Sequence, residues 1–406
     1  MYLVRRLCWF TMAAFTAVVS LSPAYPEGPK TQLGRLVVVG DSVTAGFENF
    51  SLYDSAQIHG YPALIAQQAG VGLPLPLVSY PGIPPALTLG PGNTLLRASG
   101  IGFRYNPAEQ TLNLSVPGFT LADGQAHTFN LFALLQAGTN ANVIDLMAFE
   151  VLAPLGPTLQ PCAVESFDPG TGNLTLSEVD CATKLNPSTI IVSLGNNDAL
   201  QSLTFGMLPT DPGTFAAQYQ AIVTKLKSTG ANLLLANIPD VSILPFLVPV
   251  PAVKVQCSGR VPANATDADY IVPDILSVVP SADLCNATPL QVRPAALIQA
   301  TRAATMAYNQ IIAGIAKSTP GVAVADVNGL LANVAANGYK VGPDTITTAY
   351  LGGIFSLDGI HPTTTGQAIL ANLFIETMNS QLNMNINTVN VRQIEKSDPL
   401  VFGKHP

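Results

Sequence analysis

The stretch Leu36-Val37-Val38-Val39-Gly40-Asp41-Ser42 decides the fold of this chain. Four consecutive apolar residues, three of them β-branched, predict a strand that is buried on both faces. Gly-Asp-Ser then predicts a turn, which places Ser42 at the carboxyl end of the strand. In open α/β sheets this end lines the ligand crevice, and a following helix points its first N–H groups into it. Ser42 is therefore a candidate nucleophile, with a simple helix N-cap as the alternative interpretation.

Further buried strands and amphipathic helices alternate along the rest of the chain. The predicted strands after the first are at 111–116, 189–194, 232–237 and 322–327. The predicted helices are at 129–136, after Asp211-Pro212, at 295–317 and at 364–382. This alternation predicts a parallel sheet with helices on both faces. The expected fold class is α/β, a three-layer α/β/α sandwich of flavodoxin-like type whose central parallel sheet has about five strands and long loop insertions.

The first 24 residues have the pattern of a secretory signal. Arg5 and Arg6 precede an apolar run at 7–21 and a small-residue cleavage site at 22–24. A membrane anchor is the alternative, but the run is shorter than the ~20 residues that a spanning helix needs. The sequence thus predicts a cleaved signal peptide and an exported protein, whether secreted, periplasmic or at the cell surface.

The remaining chain is predicted to form one domain over residues 25–385, followed by a tail at 386–406. The domain carries insertions near 51–110, 155–185, 241–292 and 330–357. The tail is polar and weakly patterned, so a late strand or a disordered end is expected for it.

Composition argues against some classes of partner. Charged residues make up 11% of the chain, and its formal net charge is −7, which becomes −9 when the signal segment with its two arginines is removed. An acidic chain gives little reason to expect nucleic acid or an anionic membrane as partner. No obligate protein partner is implied.

Four cysteines remain after the signal segment. An even number in an exported protein favours two disulfides, and the expected pairing is local, Cys162 with Cys181 and Cys257 with Cys285. Four buried thiols are the alternative. The chain has no CxxC pair, so no metal site is expected.

Polar residues among glycines follow three of the predicted strands. They are Gly40-Asp41-Ser42, Ser115-Val116-Pro117-Gly118 and Gly195-Asn196-Asn197-Asp198, and Asp358-Gly359-Ile360-His361-Pro362 stands near the C-terminus. In a parallel sheet the first three meet at one edge, and the fourth can reach them from the loop before the last helix. Together these four blocks contain every part of an acyl-transfer site.

In content and order, the four blocks resemble those of the GDSL, or SGNH, hydrolase family, and most closely its lipase/esterase branch. The family pattern is GDS, a block with a glycine, GxND, and DxxHP. Val43 stands where the name-giving motif has leucine, and little consequence is expected from this departure.

The resemblance implies a role for each matching residue. Ser42 would be the nucleophile, His361 its general base, and Asp358 the acid that orients the imidazole. The oxyanion hole would consist of the N–H groups of Ser42 and Gly118 and the side-chain amide of Asn197. No cofactor is implied. Outside this set, Asp41 and Asp198 are expected to brace turns, and His59 and His127 to be structural or exposed.

The function expected from this set is an exported serine esterase or lipase that acts on a small-molecule or lipid ester. The family resemblance also allows carbohydrate acetyl-esterase, thioesterase, phospholipase and acyltransferase activities, and a non-catalytic lipid-binding protein is the alternative of another class. The segment 241–255 is apolar but interrupted by prolines, which predicts a loop. Its Leu244, Phe246 and Leu247 are candidates for lining an acyl groove or for transient contact with a lipid surface, with packing onto the core as the alternative.

Overall fold

The computed structural model describes residues 33–91, 94–137, 141–153, 162–274 and 284–401. The predicted signal peptide at 1–24 lies outside the described residues. The strands of the described residues are β1 (Leu36–Gly40), β2 (Leu87–Leu89), β3 (Leu95–Arg97), β4 (His127–Asn130), β5 (Val164–Phe167), β6 (Asn173–Leu176), β7 (Thr189–Ser193), β8 (Asn232–Ala236), β9 (Val248–Pro249), β10 (Tyr270–Ile271), β11 (Val292–Arg293), β12 (Val322–Ala325), β13 (Tyr339–Val341) and β14 (Asp344–Ile346).

The helices of the same residues separate the strands of the main sheet. They are α1 (Ser42–Ala45), α2 (Asp54–Gln57), α3 (Tyr61–Ala69), α4 (Leu121–Gln125), α5 (Leu131–Ala137), α6 (Val143–Leu152), α7 (Glu178–Lys184), α8 (Asn196–Thr204), α9 (Pro212–Lys227), α10 (Val250–Gln256), α11 (Ala295–Ser318), α12 (Val327–Asn337), α13 (Thr364–Gln381) and α14 (Val391–Glu395).

The central sheet is parallel and has the strand order β1-β7-β8-β12. Helices pack as a layer on each face, with α13 against α3 and α12 in one layer and α9 against α7 and α11 in the other. The predicted α/β sandwich is therefore confirmed. Its core strands carry the continuous apolar runs that a sheet covered on both faces requires, and all five residues of β1 and of β7 are buried.

The predicted strand at 111–116 lies beside β1, on the side away from β7. Val38 N donates to Leu112 O at 2.9 Å, and Val116 N donates to Gly40 O at 3.1 Å. If this segment is counted second, the order is 2-1-3-4-5, the flavodoxin-like arrangement. It makes only an isolated bridge with β1, because the side chains of Thr111 and Asn113 hydrogen-bond the segment's own backbone.

Helix α9 shows how local sequence sets an element of this fold. The Asp211 carboxylate accepts from Gly213 N and Thr214 N, and Pro212 occupies the first turn, where no N–H partner is needed. The apolar face predicted from the 3.6-residue spacing is buried, and it consists of Phe215, Tyr219, Ile222, Val223 and Leu226. The prediction for this helix is confirmed.

Two sequence predictions for local structure were wrong, and a third differs only in where the element begins. The short helix predicted at 129–136 is present as α5, but it begins at Leu131, because Phe129 pairs with Leu174 in a small antiparallel sheet. The proline-interrupted segment 241–255 contains helix α10, since Pro251 lies in its first turn, where proline is tolerated. The tail is neither strand nor disordered up to residue 401. It includes α14 and buries Ile386, Val389 and Val401 against the main core.

Both locally paired disulfides are present, Cys162 with Cys181 and Cys257 with Cys285. The second one closes a small satellite core around Val250, Val253 and Ile271. Within the described part of the chain, no helix has the length and apolar character needed to cross a bilayer.

Candidate active site

The candidate nucleophile Ser42 is the first residue of helix α1, directly beyond β1. The Asp41 carboxylate caps this helix by accepting from Val43 N at 3.2 Å. Gly40 is required at the turn, because a Cβ there would lie 2.7 Å from the side chain of Thr44. Only 6% of Ser42 is exposed. The local sequence thus positions a hydroxyl, with little exposure to solvent, at the sheet edge where the strand order reverses.

The second block follows residues 111–116 at the same edge. Gly118 has φ +90°, a conformation that favours glycine, and a Cβ on it would lie 3.0 Å from the Ile144 side chain. Asn113 ties this segment to the nucleophile turn by donating from Nδ2 to Thr44 O at 2.9 Å. Gly118 therefore has the backbone freedom that an oxyanion donor needs.

The third block follows β7, the sheet neighbour of β1. Gly195, with φ +110°, turns the chain into α8. Asn196 Nδ2 donates to Asp41 Oδ2 at 2.8 Å, and Asn197 Nδ2 donates to Phe119 O at 2.8 Å. The two asparagines thus tie this block to the first block and to the residue after Gly118. An amide nitrogen carries two hydrogens, so the Phe119 contact uses only one of those on Asn197.

The fourth block brings the candidate base and acid together. His361 Nδ1 lies 2.9 Å from Asp358 Oδ2, and both side chains are buried. Asp358 also accepts from Phe50 N at 2.6 Å and from the N–H groups of Ile360 and His361 at 2.8 Å each. Burial alone would raise the pKa of Asp358, but the electrostatic attraction of His361 and the hydrogen bonds from His361 and Ile360 outweigh it and lower the pKa. Asp358 is therefore an anion that can hold the imidazole.

The His361 ring faces the nucleophile turn through Phe47. The two ring centroids are 4.7 Å apart, and Phe47 N donates to Ser42 O at 3.0 Å. With its Nδ1–H directed at Asp358, the ring keeps a lone pair on Nε2 for a proton. Among the described residues no hydrogen bond joins this ring to the Ser42 hydroxyl, a contact that often forms only when substrate binds.

Three buried carboxyl groups, those of Asp41, Glu178 and Asp198, support the loops of the site but are not among the candidate catalytic residues. Glu178 Oε2 accepts from Gly40 N at 3.1 Å, and Asp198 Oδ2 accepts from Leu121 N at 3.0 Å. Burial raises the pKa of Asp41 to about 7 and that of Asp198 to about 6, and it raises the pKa of Glu178 well above its ordinary value. Asp41 and Asp198 make the bracing contacts expected from the sequence. Glu178 has no sequence signal, because its contact with Gly40 joins segments 138 residues apart.

Helix α13 begins directly after His361-Pro362, and the C-terminal tail holds its first turn. Asp398 Oδ2 accepts from Thr365 N and from Thr365 Oγ1 at 2.7 Å each. Thr363 caps the same turn by accepting from Gly366 N at 3.0 Å. Only 1% of Asp398 is exposed. The tail, predicted from the sequence to follow the domain, thus holds the first turn of the helix after the candidate base.

Asp398→Ala is expected to destabilise the protein by about 1–3 kcal/mol, because it leaves two buried donors of Thr365 without an acceptor. Asp398→Asn keeps one acceptor oxygen and should lose less. Urea unfolding of the two variants beside the wild type measures the difference. Equal midpoints for Asp398→Ala and the wild type would show that the contact does not stabilise the native state.

Of the three candidates for substrate contact, only Leu244 lines the apolar cavity beside the site. Phe246 and Leu247 are buried against the core and are not part of the cavity wall. Phe246 N donates to Gly359 O at 3.2 Å, so this loop supports the Asp358–His361 turn. Phe246 and Leu247 thus pack onto the core, the alternative expected for them from the sequence, and Leu244 lies at the cavity wall.

The family model described as GDSL-like Lipase/Acylhydrolase matches residues 36–374. The search of curated proteins finds no match. One similar solved structure is LAE5, described as an alpha/beta hydrolase enzyme from the metagenome of Lake Arreo, Spain, with 15% identity over 85% of this chain and 94% of that chain and a TM-score of 0.37. A second is TesA, with 14% identity over 85% of this chain and 98% of that chain and a TM-score of 0.34. A third is the psychrotrophic esterase EstA from Pseudoalteromonas sp., with 12% identity over 86% of this chain and 98% of that chain and a TM-score of 0.34.

Proposed function

The chain belongs to the GDSL-like lipase/acylhydrolase family, and from this premise we propose that it is a serine hydrolase that cleaves carboxylic esters through an acyl-enzyme. The observation that carries the proposal is the hydrogen bond between buried Asp358 and His361. Phe50 N–H, on the segment that follows the nucleophile turn, donates to Asp358 and holds its carboxylate in place. A carboxylate that accepts from a histidine in this way sets the tautomer of a general base.

In the proposed reaction, Ser42 Oγ attacks the ester carbonyl while His361 Nε2 takes the hydroxyl proton. The carbonyl π electrons move to oxygen, and the oxyanion is held by the N–H groups of Ser42 and Gly118 and by the Asn197 amide. The alcohol leaves with the proton from His361. Water then attacks the acyl-enzyme, gives one proton to His361, and releases the acid as Ser42 regains its proton.

A fluorophosphonate probe tests this proposal on the wild-type protein. The probe phosphonylates only an activated serine, so the expected adduct is on the peptide that contains Ser42, together with loss of ester turnover. A folded, oxidised protein that neither reacts with the probe nor hydrolyses any ester would instead support the non-catalytic lipid-binding alternative.

The acyl part of the substrate is proposed to be lipid-like. An apolar cavity begins at residues that flank the proposed catalytic groups, namely Val43, Asn196, Ile360 and Pro362. It continues between α12 and α13, where its wall is made of Leu330, Leu331, Val334, Leu370 and Phe374. Val43, where the family motif has leucine, is thus a cavity wall residue, and its smaller side chain leaves more room beside Ser42.

Leu330→Trp is expected to reduce kcat/KM for octanoyl esters by about tenfold relative to acetyl esters, because it narrows this cavity. The matched control is Ala335→Trp, an exposed position on the same helix. The measurement is a p-nitrophenyl ester panel from acetyl to long chain. Equal chain-length profiles for both variants would exclude the cavity as the acyl site, and strict acetyl preference in the wild type would point to sugar deacetylation.

Export is proposed as well. It is supported by two disulfides, since such bonds persist in oxidising compartments.

A further inference from the structure

His127, which the sequence predicts to be structural or exposed, contacts two carboxylates at once. Its Nδ1 lies 3.1 Å from Asp123 Oδ1, and its Nε2 lies 2.9 Å from Asp145 Oδ1. A neutral imidazole has only one N–H, so it can donate to only one of the two. Both hydrogen bonds form together when the ring is a cation between two anions.

The His127 ring lies directly behind the turn that holds the proposed oxyanion donors. Its centroid is 4.8 Å from that of Phe119, the residue after Gly118. Phe119 O is the acceptor of the Asn197 amide. On the other side, Asp123 forms a reciprocal cap with Thr120 at the start of α4. Two neighbours of His127 therefore belong to the segment that sets the positions of Gly118 and Asn197.

The second carboxylate connects His127 to helix α6. Asp145 follows Ile144, whose side chain covers Gly118 so closely that a Cβ there would lie 3.0 Å away. Asn142 caps this helix by accepting from Ile144 N at 2.9 Å and from Asp145 N at 3.4 Å. The His127–Asp145 contact thus holds α6 against the glycine turn.

We propose that His127 is a positioning residue for the oxyanion hole, and that in its doubly protonated form it clamps α4 and α6 around the Gly118-Phe119 turn. The inference rests on the proposed function. It predicts that the oxyanion donors are well positioned while His127 is a cation. When the ring loses a proton, it can keep a hydrogen bond to only one of its two carboxylates, and the positions of the donors become less fixed.

The pKa of His127 gives the sign of this effect. Burial acts to lower the pKa, but Asp123 and Asp145 outweigh it, so the pKa is raised above its ordinary value. The stabilisation of the folded state by the His127 contacts with Asp123 and Asp145 is therefore complete below the ordinary histidine pKa. It is lost as pH rises through the raised pKa of His127. Asp198 on α8 and Glu178 on α7 also face Asp123 and interact with it. The causes of the His127 shift itself are burial and the two carboxylates that contact the ring, Asp123 and Asp145.

The test compares His127→Gln and Asp145→Asn with the wild type, with His59→Gln as the matched histidine control. His59 bonds only the Ser55 carbonyl within the described residues. Because misplacing a catalytic donor by about 1 Å costs up to ~10²-fold, we expect kcat to fall at least about tenfold in His127→Gln with little change in KM. The alkaline limb of the wild-type kcat profile should move to lower pH in Asp145→Asn, which removes one charge that holds the proton.

A readout without turnover separates this inference from the proposed function. In 15N NMR titrations of the wild type, the Gly118 and Phe119 amide signals are expected to shift with the ionisation of the His127 ring, and to lose that shift in His127→Gln. The inference is overturned if these amides do not follow His127, or if His127→Gln matches His59→Gln in kcat, KM and pH profile while the wild type hydrolyses esters.

Discussion

Ser42→Ala is expected to lower kcat for ester hydrolysis by a factor on the order of 10⁴–10⁶, the loss that follows removal of a nucleophile from such a set. Alanine cannot form the acyl-enzyme, so only oxyanion stabilisation and binding would remain. The fold should be unaffected, because the Oγ of Ser42 is not needed for the α1 cap, which Asp41 provides. Initial rates with a p-nitrophenyl ester, together with fluorophosphonate labelling, measure the effect.

Ser115→Ala is the matched control for this variant. Ser115 is also a buried serine at the same sheet edge, and its hydroxyl has no hydrogen-bond partner among the described residues. Removing an unpaired buried hydroxyl is nearly neutral or stabilising, so rate and labelling should stay at the wild-type level. Equal labelling of Ser42→Ala and the wild type would show that another residue is the nucleophile.

Asn197→Ala is expected to lower kcat by about 10²–10³, or about 3 kcal/mol of transition-state stabilisation. KM should change little, because the lost hydrogen bond forms mainly in the transition state. Asn196→Ala provides the comparison at the adjacent position. Its amide bonds Asp41 rather than the turn at Phe119, so a smaller loss is expected.

Steady-state kinetics of both asparagine variants on an acetyl ester distinguish the two roles. A larger loss of kcat in Asn196→Ala than in Asn197→Ala would reverse the assignment carried over from the family pattern. A rise in KM with unchanged kcat in Asn197→Ala would indicate a role in ground-state binding instead.

The parts of the molecule that the sequence predicted well depend on local patterns. The apolar runs of β1 and β7 and the cap and spacing of α9 are determined within a few residues, and the structure has all three. The four polar blocks could be found because strand ends of a parallel sheet meet at one edge. Their catalytic roles remain proposals.

The features that sequence patterns missed depend on contacts between distant segments. Glu178 accepts a hydrogen bond from Gly40, and Asp145 contacts His127. No periodic pattern in the sequence indicates either contact. The described part of the tail, 386–401, is weakly patterned in sequence, yet its apolar residues Ile386, Val389 and Val401 are buried in the main core. Helix α10 has no clear sequence signal, because prolines interrupt its segment, although proline in a first turn is compatible with a helix.

The hydrogen bonds between the tail and the first turn of α13 bear on when, during folding, the proposed active site is completed. The nucleophile turn and the His361 region are joined by hydrogen bonds that span 307, 308 and 324 residues of chain. Such long-range closures form late, because the entropy of a large loop must be overcome first. A chain truncated before residue 397 would already contain every proposed catalytic group. It would still lack Asp398, which holds the first turn of the helix that follows His361, so catalytic competence is expected only once Asp398 is in place.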